Sequence, residues 1–352
     1  MKMKAVFAAA LLTCGAPLPA AVLQAASDTE INSSIAALKD GDTLRIAPGD
    51  YTRRHSVTGI ASLTIEALDP AHPPHFKGDT EAWHFSRCPA LTLRHLKCSG
   101  QTDNGINLDD GGRFTEPVNG IRLENLIVSD IGPDGNFDAI KCSGLDHFTI
   151  SHCEISGWGG QAIDLVGCHE VLIRDCRFTG KPGFSQHTGP QFKGGCQHVT
   201  IEKCTFKDAG PRPIQVGGST GLDFFRPPGA KYEAADIVVR DNLIEGGECA
   251  CAFTGVDGAE FTGNTILRPS KWIFRILQEN TAEGFKTCGN VAIRNNTITF
   301  RRSDIGSELN IGAGTAPASF RFEGNHWLAE DQPAASKPNL PVKEKEGVYG
   351  ER

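Results

Sequence analysis

The sequence has no run of basic residues, few aromatic side chains and no apolar stretch long enough to cross a bilayer. Aromatics make up 7% of the chain and the formal net charge is −7. An acidic balance without a basic patch excludes a nucleic-acid binder, because it repels phosphate. The apolar run Ala5 to Leu12 is well short of the roughly 20 residues of a membrane helix, so no membrane span is expected. No Cys-x-x-Cys pair comes with a pair of histidines, which removes the usual zinc arrangement. There are 12 cysteines, one of them at position 14, and the odd remainder cannot pair completely as disulfides. What is abundant is glycine, 40 residues in 352, which suits a chain that turns often. That length allows one large elongated domain or two ordinary ones.

The N-terminus reads as an export signal over residues 1–26. Met1-Lys2-Met3-Lys4 is a basic start, Ala5 to Leu12 a short apolar core, and Ala20, Ala21, Ala25 and Ala26 are small residues at which a peptidase could cut. The protein is therefore expected to be secreted or periplasmic. Leu11-Leu12-Thr13-Cys14 is the alternative, a lipid-anchor site, which the threonine before the cysteine fits poorly. Ile31, Ile35 and Leu38 then mark a short amphipathic helix. After it, Gly41-Asp42-Thr43-Leu44-Arg45-Ile46 and Pro48-Gly49-Asp50-Tyr51 read as turns around a strand, so the helix would cap the open end of a stacked β-structure.

A repeat follows: an apolar residue, two others, a ladder position, one more residue and an apolar residue. It runs through Leu93/Leu96/Cys98, Leu123/Leu126/Val128, Ile150/Cys153/Ile155, Ile173/Cys176/Phe178 and Ile201/Cys204/Phe206. It continues through Val239/Asn242/Ile244, Phe261/Asn264/Ile266, Ile293/Asn296/Ile298 and Phe322/Asn325/Trp327. Spacings of about 20 to 40 residues are those of a solenoid. Stacked coils would align the ladder positions inside, with asparagines bonding along the axis and cysteines acting as small buried hydrophobes. Most cysteines, including Cys88, Cys168, Cys196 and Cys288, are thus expected as free thiols, with disulfides between coils as the rival. The repeat predicts one domain over residues 27–328 and an irregular tail over 329–352, with a monomer expected.

A second pattern, bulky–variable–small or apolar, supplies a column of outward side chains by strand alternation. Its middle residues are Asn107, Lys141, Asp164, Lys193, Gln215, Thr254, Arg275 and Asn310. Neighbouring coils lie about 4.8 Å apart, so Lys141, Asp164, Lys193 and Gln215 could meet one sugar or two. Asp138, Gln191 and Arg212 add charge and hydrogen bonding, while His187 and Arg226 stand on flanking loops. Trp272 beside Arg275 is either packing or a sugar platform. Mixed acid and base on a groove suits an acidic polysaccharide. Asp138 and Asp164 could also hold calcium through hard oxygen ligands, or serve as the paired acids of a glycoside hydrolase. A non-catalytic carbohydrate-binding protein is the reading from outside enzymology.

The capping helix, the turns after it and the asparagine and cysteine ladders resemble the right-handed parallel β-helix of the pectate lyase-like superfamily, from about residue 28 to 328. The resemblance implies an all-β solenoid and a carbohydrate substrate, while that superfamily includes lyases, hydrolases, epimerases and adhesins. Gln191-Phe192-Lys193-Gly194-Gly195 and Arg212-Pro213-Ile214-Gln215-Val216-Gly217-Gly218 are similar to the lysine and arginine strands of alginate lyase and chondroitinase B-type lyases. This implies β-elimination on a uronic-acid polymer, with Lys193 as base and Arg212 as acid or carboxylate partner. Lys141 would stabilise charge, and Gln215, Asp164, Gln191, Arg226, Arg275 and His187 would bind substrate. The family's calcium-binding acids would stand just before the lysine, where this chain has Gln186, His187 and Thr188.

Overall fold

Each ladder residue follows a sharp corner. His95, Asn125, His152, Asp175, Lys203, Asp241 and Asn295 precede ladder positions and take φ between +53° and +57°. Asn, Asp and His tolerate this left-handed region better than most residues. The corner swings the chain from one sheet into the next: Leu145–Ser151 is followed by His152, Cys153 and then Glu154–Trp158. Repeated along the chain, these corners wind the computed structural model, which describes residues 20–351, into three parallel sheets of 13, 10 and 12 strands. This is the right-handed parallel β-helix that the family resemblance implies, nearly all β, with one α-helix among the described residues.

The inward residues of all three sheets form one continuous core from Ala25 to Ala329. The ladders run through it. Asn242 Nδ2 donates to Asn264 Oδ1 at 3.0 Å, Asn264 Nδ2 to Asn296 Oδ1 at 3.1 Å, and Asn296 Nδ2 to Asn325 Oδ1 at 2.8 Å. The same amides reach carbonyl oxygens of Ile201, Val239, Phe261 and Ile293, so the corners' buried polar groups are satisfied along the axis. All eleven cysteines among the described residues are free and buried.

The helix spans Asp28–Ala37, capped by Ser27, and buries Ile31 against the first coil. Before it, Val22–Ala25 pairs in parallel with Thr43–Ile46. The folded body thus begins inside the stretch assigned to the leader; residues 1–19, with Cys14, lie outside the described residues. At the other end the tail has little regular structure but is pinned to the last coil. Val348–Tyr349 pairs with the His326–Ala329 strand, and Glu344 accepts from Asn325 Nδ2 at 2.7 Å and Trp327 Nε1 at 3.0 Å. The tail closes the ladder's open end because the last asparagine would otherwise leave a buried donor unpaired. No helix among the described residues is long and apolar enough to cross a membrane.

Candidate active site

The groove-facing side chains stand on the ten-stranded sheet, and its register rearranges the expected column. Asp164 pairs with Gln191, not Lys193; Val166 pairs with Lys193. Gln191 pairs with Gln215, Gln215 with Ala252, and Ala252 with Arg275. The central outward column is therefore Ser56, His84, Asn107, Lys141, Asp164, Gln191, Gln215, Ala252, Arg275 and Asn310. Lys193 and Thr254 belong to a second column two residues along, with Asp109 and Ser143. Pro190 takes the inward place opposite Ile163, which hid the true repeat unit on this strand.

Lys193 nevertheless reaches back to the first column. Its Nζ lies 2.9 Å from Asp164 Oδ1, an ion pair rather than an aligned hydrogen bond. Lys141 Nζ donates to Asp164 Oδ2 at 3.1 Å and to Asp138 Oδ2 at 2.8 Å. Asp138 sits at the corner before its strand, where Oδ1 accepts from the Gln161 amide at 2.9 Å. The lysine side chains keep 25% (Lys141) and 16% (Lys193) exposure, against 2% for Asp164 and 0% for Asp138. Two cations thus face the groove over two buried acids. Burial pushes Asp164 up, but Lys193 and Lys141 outweigh it and hold its carboxyl below the usual range. Burial and the neighbouring Asp164 push Asp138 up to about 6. Burial disfavours the Lys141 ammonium, yet Asp164 and Asp138 prevail and raise its pKa. A hollow of about 380 Å³ opens beside Lys141, between Asn107, Asp109, Ser143 and Arg226.

The donor set does not fit calcium at Asp138 and Asp164. Lys141 Nζ occupies the place between the two carboxylates, and no three His, Cys, Asp or Glu side chains converge as metal ligands among the described residues. Calcium takes about six to eight oxygens, far more than two carboxylates already bound to an ammonium provide.

The other predicted residues separate into two groups. Gln191 and Gln215 flank the lysines; Gln191 Nε2 donates to Gly217 O at 3.1 Å, whereas buried Gln215 Oε1 has no partner. Arg212, His187 and Arg275 lie apart. Arg212 stands level with Thr188, roughly 16 Å along the strand from Lys193 at about 3.3 Å per residue. It donates to the His187 carbonyl at 3.1 Å, and burial together with Arg275 shifts its pKa down. Gly217, not an arginine, is the neighbour of Lys193 on the next coil, by the register that pairs Phe192 with Val216. Arg275 donates to Asn310 at 3.1 Å and lies 5.5 Å from the Trp272 ring.

Arg226 lines the hollow beside Lys141 but is already tied to a buried acid. Its Nε and NH2 donate to buried Asp110 at 2.6 and 3.2 Å, and NH1 donates to Phe224 O at 2.9 Å. The side chain crosses Gly144 and Gly167, where any Cβ would collide with it. Sequence reasoning missed a further group. His84, two coils before Lys141, meets Asp109 at 2.7 Å through Nε2 and Arg54 at 2.8 Å through Nδ1. Trp83-His84-Phe85 carries the bulky–polar–bulky signal and would have extended the column by one coil.

A solenoid with this groove belongs to a class with known relatives. The family description "Right handed beta helix region" matches residues 84–266 and 138–327. The chain belongs to that right-handed β-helix family. No curated protein matches it. Among solved structures it is similar to an alginate lyase from Paenibacillus sp. str. FPU-7, with TM-score 0.58 and 18% identity over 84% of this chain and 99% of that one. It is similar to an endo-xylogalacturonan hydrolase from Aspergillus tubingensis, with TM-score 0.56 and 12% identity over 93% of this chain and all of that one. The A-module of an Azotobacter vinelandii mannuronan C-5 epimerase gives TM-score 0.60 and 12% identity over 91% and 94% of the two chains. At such identities the likeness shows the fold alone.

Proposed function

We propose that this protein is a polysaccharide-active enzyme that cleaves a uronic-acid-containing polymer by β-elimination, with Lys193 taking the C5 proton. The observation that carries the reading is the order of burial: both lysines face the groove, and both acids lie beneath them. A cationic floor suits a polyanion and lowers the energy of the enolate formed when C5 loses its proton. Gln215 stands on the coil after Lys193, and in this reading its Nε2, the donor end of the amide, holds the C6 carboxylate. A hydrolase would need an acid that touches the glycosidic oxygen, and Asp138 and Asp164 are both covered by Lys141. Export to the cell exterior or periplasm agrees with a polymeric substrate and is part of this proposal.

The test is incubation with a panel of uronic-acid polymers, followed by the ultraviolet absorbance of unsaturated uronate ends and by reducing-end assay. Unsaturated product with at least one polymer, lost by about 100-fold or more in Lys193→Ala, is the expected result. Reducing ends without unsaturation would replace the lyase with a hydrolase. Retained binding with neither signal would leave a carbohydrate-binding protein.

A further inference from the structure

We propose that Lys141 is the acid of this elimination, donating the proton that the leaving glycosidic oxygen takes. The inference rests on the lyase reading above. The C5 hydrogen and the C4 oxygen sit on adjacent carbons, so base and acid must be near neighbours. Arg212, roughly 16 Å along the strand from Lys193, does not meet that requirement. Lys141 does, because both lysines hold the same carboxylate, at 3.1 Å on Asp164 Oδ2 and 2.9 Å on Oδ1.

Geometry also assigns the roles. An ammonium has three N–H groups. Two on Lys141 are held by Asp138 and Asp164, and the remaining one is left for the hollow that Asn107 and Ser143 line. Two carboxylates keep Lys141 charged, in agreement with its raised pKa. Lys193 has one carboxylate partner, and their contact is not an aligned hydrogen bond. The step balances. The ammonium of Lys193 first gives a proton to bulk water, and the amine so formed takes the C5 proton. The C5–H electron pair becomes the C4=C5 double bond. The C4–O bond breaks, and its oxygen takes the proton of Lys141 and leaves as a hydroxyl. Lys193 ends as ammonium and Lys141 as amine, and Asp164, in contact with both nitrogens, offers the path by which the proton returns.

The experiment compares two substrates in Lys141→Arg and Lys141→Gln. One is the polymer that the wild type cleaves. The other is a uronate carrying para-nitrophenoxide at C4, a leaving group that departs without a proton. Arginine keeps the charge between Asp138 and Asp164 but does not give up a proton, and a melting curve confirms its fold. Loss of kcat by about 100-fold or more on the polymer, with less than about tenfold loss on the nitrophenyl ether, is expected for Lys141→Arg. Equal losses on both substrates, or near-wild-type cleavage of the polymer, would overturn the assignment. A wild type that makes no unsaturated product from any polymer sinks the lyase reading itself, a result distinct from either.

Discussion

Asp138 bears the cost of seating a lysine over buried carboxylates. It is fully buried, and burial with Asp164 nearby lifts its carboxyl from 3.8 to about 6. Between those values the folded state holds a proton that the unfolded chain has released, so stability falls as pH rises through the window. A gap of this size corresponds to about 3 kcal/mol. Asp164 is shifted the other way, so its contribution is present above the ordinary carboxylate range and fades as acid protonates it. Melting temperature measured across pH should therefore decline between about 4 and about 6 in the wild type and lose that decline in Asp138→Asn. An unchanged slope in the variant would place the proton uptake elsewhere. Lys193 shows what is legible at this scale: its outward direction follows from alternation with Phe192, but its partner Asp164 does not.

At the scale of elements, the loop between Gly218 and Glu233 joins distant coils. Arg226 ties it to Asp110, 116 residues earlier in the chain, while Phe225 is buried beneath it. The pair is nine-tenths or more buried on both sides. Removing one partner leaves an uncompensated buried charge, typically a loss of about 3–5 kcal/mol. Arg226→Met should lose stability of that order in urea unfolding, and limited proteolysis should cut within the loop. Wild-type resistance to both would show that the loop holds without the ion pair. The sequence places Arg226 on a loop flanking the groove. It contains no sign that the arginine's charge is already taken, because its partner stands on another coil.

For the whole molecule, the solenoid is one-dimensional: each coil rests on its neighbours, and its ends need caps. The helix Asp28–Ala37 covers one end, and the tail that carries Glu344 covers the other. Deleting residues 330–352 leaves Asn325 Nδ2 and the Trp327 indole without Glu344. Hydrogen exchange should then show protection lost first in the last coils, with the coils around Lys141 and Asp164 retained. Uniform loss along the chain would contradict a neighbour-by-neighbour solenoid. The groove has the same axis as the stack. Lys141 and Arg275 are five strands apart, about 24 Å at 4.8 Å per coil, room for a chain of several sugars.

The sequence by itself determined the coil, its ladders and the side of the sheet on which each polar residue stands. These are local: a corner residue, an inward apolar residue and an asparagine recur within each repeat. Register between coils was decided only by the tertiary structure. A slip of two residues leaves every inward and outward assignment unchanged, so alternation cannot detect it. The strand holding Pro190 slipped in this way, which put Lys193 in the column of Asp164 when it belongs to the next. The pairings that give the groove its chemistry come from side chains meeting across coils: Lys141 and Lys193 on Asp164, His84 on Asp109, and Arg226 on Asp110.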